Sequence, residues 1–153
     1  MKKFKILMLT VFALLLTACG VKKEAIDDEE FNRIMSNERF TVENREKEFD
    51  ENEYVEDILL AIQEDNNYEI VFLELESDSY AKKSYELAKK FIEPFKEGTS
   101  NYTEVNLANN SKYTLTTEDI YFVIARVEDT IIFLEVDKEY KAEVTDILNK
   151  LGY

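Results

Sequence analysis

The spacing of hydrophobic positions changes several times along the chain, and each change marks an element. In 77–96, Ala81, Tyr85, Ala88, Ile92 and Phe95 recur at helical spacing on one face. Ser77 or Asp78 can cap that helix, and Pro94 and Gly98 mark its end. A second amphipathic stripe, Tyr140, Val144, Ile147, Leu148 and Leu151, predicts a last helix that starts at an Asp137 cap and stops at Gly152. A shorter helix with Phe31, Ile34 and Met35 on one side follows Asp27, Asp28, Glu29 and Glu30. That acidic quartet could hold a cation. The plainer reading is a helix start, where carboxylates complement the dipole and cap free N–H groups.

Between the helices the pattern is that of strands. The runs 58–62 and 68–75 flank Glu64-Asp65-Asn66-Asn67 and predict a β-hairpin. A helix over 55–63 fits the first run equally, because periodicity does not separate short apolar runs. A short strand is expected at 40–42, a solvated loop at 43–53, and further hairpins from 102–107 with 112–116 and from 120–126 with 130–136. These elements predict an α+β fold with two layers, an antiparallel sheet carrying amphipathic helices on one face. The helices read as sheet-packing rather than membrane-binding, since acids as well as bases lie on their outer faces.

The two halves of the chain resemble each other. At an offset of 62, Thr41 meets Thr103 and Glu56-Asp57-Ile58 meets Glu118-Asp119-Ile120. After a one-residue slip, Ile70-Val71-Phe72-Leu73-Glu74-Leu75 meets Ile131-Ile132-Phe133-Leu134-Glu135-Val136. The single domain 28–153 thus reads as an α-β-β-β unit used twice, over 28–76 and 77–137, with a closing helix over 138–151. A sheet covered on one side should be polar on the other. Ile70, Phe72, Ile131 and Phe133 are therefore either core under a second layer or an exposed face that binds a partner.

The first twenty residues follow a different logic. Lys2, Lys3 and Lys5 precede the 11-residue apolar stretch 6–16, too short for a spanning helix and suited to the core of an export signal. Leu16-Thr17-Ala18-Cys19-Gly20 then resembles the lipobox of bacterial lipoproteins. The resemblance implies cleavage after a signal peptide at 1–18 and acylation of Cys19, with palmitate or a similar chain. It also implies a tether over 19–27 and a place on the outer leaflet of the cell membrane, facing the wall or the extracellular side. The run from Lys112 through Asp137-Lys138-Glu139-Tyr140 to Leu151-Gly152-Tyr153 is similar to that of uncharacterised small lipoproteins of Gram-positive bacteria.

Composition narrows the chemistry. The 153 residues include 33 acids against 19 bases, one cysteine and no histidine. This excludes Ser-His-Asp and Cys-His catalysis, His-ligated zinc and a disulfide framework. It also argues against a nucleic-acid partner, since phosphates are repelled. Removing 1–18 takes away Lys2, Lys3 and Lys5 but no acid, leaving 135 residues and a net charge of −17. Glu74 and Glu135, matched in the repeat, are the one carboxylate pair suggesting a hydrolase, and with so many acids plain solvation explains them as well. No EF-hand pattern or glycine-rich phosphate loop occurs. The expectation is no catalytic residue, metal or cofactor. The protein then serves as a binding or accessory module for another exported protein or a wall component. A small carboxylate-dependent envelope hydrolase is the alternative.

Overall fold

The computed structural model describes residues 22–48, 54–63, 65, 68–96, 98 and 100–153. The expected signal peptide 1–18 and Cys19 lie outside these residues, as do 49–53 of the expected loop. Helix α1 (Asp28–Asn37) leads into strands β1 (Phe40–Asn44), β2 (Val55–Gln63) and β3 (Glu69–Leu75). Helix α2 (Asp78–Ile92) is followed by β4 (Asn101–Asn106), β5 (Asn110–Thr116), β6 (Ile120–Val127), β7 (Thr130–Asp137) and helix α3 (Lys141–Lys150). The region 55–63 is a strand, because its Leu59 and Ala61 pair into a hairpin with β3 and are buried there.

The seven strands form one antiparallel sheet in the order β1-β2-β3-β7-β6-β5-β4. The α+β class and the antiparallel sheet are as the patterning predicts. Helix placement is not. Phe31 and Met35 of α1 and Val144, Ile147 and Leu148 of α3 share one core with Leu59, Ala61, Ile70, Phe72, Val123, Ile132 and Leu134. Ala81, Tyr85 and Ile92 of α2 form a second core with Tyr113, Leu115, Phe122, Ile124 and Ile131. Helices therefore cover both faces, with α1 and α3 on one and α2 on the other. This correction explains why β6 is apolar on both sides: Tyr121, Val123 and Ala125 point into the first core, Phe122 and Ile124 into the second.

The helix ends follow local chemistry. The Asp27 side chain accepts a bond from the Glu30 N–H at 2.8 Å, as the capping reading requires. Ser77, not Asp78, caps α2. Asp137 makes no side-chain capping bond, and a 3-10 turn, Lys138–Tyr140, intervenes before α3. Past α3, Gly152 takes a φ of +83°, which bends the chain so that the Tyr153 N–H reaches the Leu148 carbonyl at 2.8 Å.

The halves meet at the β3–β7 seam, where Val71 lies opposite Phe133 and Phe72 opposite Ile132. β1 borders β2 as β5 borders β6, so sheet position matches β1 with β5, whereas the sequence comparison aligns it with β4. The one-residue slip of that comparison also has a geometric cost. Side chains alternate along a strand, so a slip of one moves each to the opposite face.

Candidate functional site

That alternation decides where the four candidate partner-binding residues lie. Ile70 and Phe72 are in the first core, whereas Ile131 and Phe133 belong to the second. The four do not form a common face. Ile70, Phe72 and Ile131 are buried, and Phe133 is half-buried, packed against the second core. Phe72 stacks on Phe31 of α1, ring centres 4.7 Å apart. The same logic separates Glu74 from Glu135. Glu74 points to the α1 side and Glu135 to the α2 side, so they cannot act as one catalytic pair.

The structure does leave part of one sheet face open. Helix α2 lies over β5, β6 and β7, and the face beyond it carries Leu60, Ile62, Val71, Leu73 and Phe133, all half-buried. Leu60, Val71 and Phe133 are register neighbours and form one apolar row across three strands. Apolar side chains of β2 were not separable by face from the sequence. The Leu60–Val71 pairing is set only once the register of the hairpin is known.

Two acidic constellations accompany this surface. At one end of the sheet, Asp28 at the start of α1, Asp57 of β2 and Glu74 of β3 bring carboxylate oxygens within 4.8 Å of one another. The Asn44 side-chain amide donates to Asp57 at 3.1 Å. Burial, and then the charges of Asp129, Glu56, Asp28 and Asp57, raise the Glu74 carboxyl above its ordinary range. Three such oxygens are ligands of the kind hard cations take. The sequence pointed to Asp28 as a member of the quartet 27–30, but Asp57 and Glu74 join it only through β2–β3 pairing.

At the other end, a hollow of about 810 Å³ opens beside the Glu93–Phe95 turn. Phe95, Ile120 and Phe122 line it, with Phe95 stacked on Phe122 at 5.3 Å, and Glu118, Asp119 and Glu135 stand at its margin. A hollow with apolar walls and an acidic margin suits a cationic, partly apolar group.

Comparisons with protein-family models, curated proteins and solved structures found no match.

Proposed function

We propose that the protein is an exported lipoprotein, held by acyl chains on Cys19 on the outer leaflet of a bacterial membrane, which acts as a non-enzymatic binding or accessory module of the cell envelope. The observation that carries this reading is the position of the only cysteine, directly after Leu16-Thr17-Ala18 and an 11-residue apolar stretch headed by lysines. Two or three acyl chains, at about 0.8 kcal/mol per buried methylene, hold a small domain on a bilayer. The row Leu60, Val71 and Phe133 supports the binding half of the reading, because half-open apolar rows on a sheet face serve contact with another exported protein or a wall component.

Fatty-acid labelling in growing cells tests the anchor. Label is expected on the wild type and absent from Cys19→Ser, and label retained by the variant sinks the assignment. Photo-crosslinkers at Val71 and Phe133 in intact cells test the binding face. Adducts are expected there and absent from a crosslinker at Asn149 on α3.

One observation favours the alternative, a carboxylate-dependent envelope hydrolase: the raised Glu74 carboxyl beside Asp28 and Asp57. Hydrolysis of wall fragments that vanishes in Glu74→Gln would select it.

A further inference from the structure

The outer face of α2 carries the most exposed large apolar side chains among the described residues. Leu87 and Phe91 are 66% and 67% exposed, and Phe95, in the following turn, is 48% exposed. Leu87 and Phe91 are spaced by four residues and form an apolar stripe on the side of the helix away from buried Ala81, Tyr85 and Ile92, whereas Phe95 turns back to stack on buried Phe122. Lysines flank the stripe. Lys82, Lys83, Glu86 and Lys90 surround Leu87 at a shallow hollow of about 450 Å³.

Residues 78–96 hold five lysines against Asp78, Glu86 and Glu93, a net positive stretch in a chain of net charge −14. Ion pairs account for two of those acids. Arg126 and Lys82 hold Asp78, and Lys96 lies 3.6 Å from Glu93. The acids that argue against membrane contact in the linear sequence are thus largely compensated.

The place where the chain leaves the domain bears on what covers this stripe. Lys22 pairs with Glu128 in the β6–β7 turn at 3.0 Å, and the Lys23 carbonyl accepts from Asn109. The same turn receives the start of α2, because Arg126 bonds both Asp78 and the Glu128 carbonyl. Cys19 stands three residues before Lys22, a reach of about 10 Å. An acyl group there brings the bilayer to the N-terminal end of α2. That end of the sheet also presents Asp28, Asp57, Glu74 and Asp129, which anionic headgroups repel, so the domain is disfavoured from standing on it. Repulsion acts over roughly a Debye length, about 8 Å, and the side that combines lysines with an apolar stripe is the α2 side.

We infer that α2 is a membrane-docking helix: Leu87 and Phe91 enter the headgroup–acyl boundary of an anionic bilayer while Lys83 and Lys90 contact lipid phosphates. The inference rests on the lipid-anchor reading above. It adds an orientation to that anchor: α2 lies against the membrane, α1 and α3 are turned away, and a partner of the Leu60–Val71–Phe133 row, which is on the same side of the sheet as α2, reaches it laterally. Insertion of about 5–10 Å is what such a stripe provides.

The test uses the processed, acylated full chain in vesicles of equal parts phosphatidylglycerol and phosphatidylcholine. With Cys19 acylated, Phe91→Cys and Asn149→Cys each offer one free thiol for an environment-sensitive dye. Both sites are exposed, so neither change threatens the fold. Spin-labelled lipids are expected to quench the dye at 91 at least about threefold more than at 149. The combined Lys83→Glu and Lys90→Glu variant is expected to lose that difference while still floating with the vesicles.

Flotation with equal quenching at 91 and 149 overturns the docking inference and leaves the anchor standing. Absence of both fatty-acid label and flotation overturns the anchor, and the docking inference with it. Shielding of position 91 without vesicles shows that a second copy or a protein partner covers the stripe, and overturns it as well.

Discussion

Arg126, buried on the α2 face of the sheet near the end of β6, donates through Nη1 to Asp78 in the first turn of α2. The guanidinium also bonds the Glu128 carbonyl at 3.0 Å and lies 3.4 Å from the Ser111 hydroxyl. A charge 1% exposed thus ties the start of α2 to the β6–β7 turn. Its carboxylate partner is half in water, which tempers the cost of losing the pair. Asp78→Ala is expected to destabilise the protein by about 2 kcal/mol, chiefly because the buried guanidinium loses its counter-charge. Arg126→Met, which removes the buried charge itself, is expected to cost less. Urea denaturation of the three proteins checks the order.

The two phenylalanines matched in the sequence repeat should now behave differently. Phe72 is fully buried against Phe31, so Phe72→Ser is expected to cost about 3–5 kcal/mol and to unfold the domain at moderate temperature. Phe133 is only half-buried on the other face, and Phe133→Ser is expected to cost about 1–2 kcal/mol and leave a cooperative transition. Equal losses in thermal unfolding would contradict the face assignment.

Stability should respond to pH through Glu74. Its folded-state affinity for a proton is raised, so between its ordinary value of 4.5 and the raised value the folded chain binds more protons than the unfolded one. Stability contributed by this site is therefore fully present at low pH and is lost as pH rises through that window. Glu74→Gln is expected to stabilise the protein at pH 7, by less than about 1 kcal/mol after solvent screening, and to flatten the pH dependence above 4.5. Denaturation midpoints measured from pH 4.5 to 7.5 decide it.

Tyr153 packs back on the first core and bonds the buried Thr130 hydroxyl through its own. Burial raises its phenol well above the ordinary range. Tyr153→Phe keeps the packing and is expected to cost about 1 kcal/mol, whereas Tyr153→Ala is expected to cost about 3–5 kcal/mol. Gly152→Ala places a side chain at a φ of +83° and is expected to cost about 1 kcal/mol. Differential scanning calorimetry of the series measures each.

By itself the sequence determined the elements. Helix α2 announces itself through Ala81, Tyr85 and Ile92, and the hairpins through their alternation, because periodicity and capping are local properties of neighbouring residues. The proposed export segment rests on the same kind of local signal, a short contiguous pattern of charge, apolar length and a lone cysteine. Only the tertiary structure decided which side each element faces. Ile70 and Ile131 look equivalent in a linear comparison, yet a one-residue difference in register sends them into separate cores. The placement of α2 across the sheet from α1 and α3 depends on how the chain crosses between β3 and β4. No local pattern encodes that crossing, which leaves the Leu60–Val71–Phe133 row only partly covered, just as none encodes the β2–β3 pairing that gathers Asp28, Asp57 and Glu74 at one end.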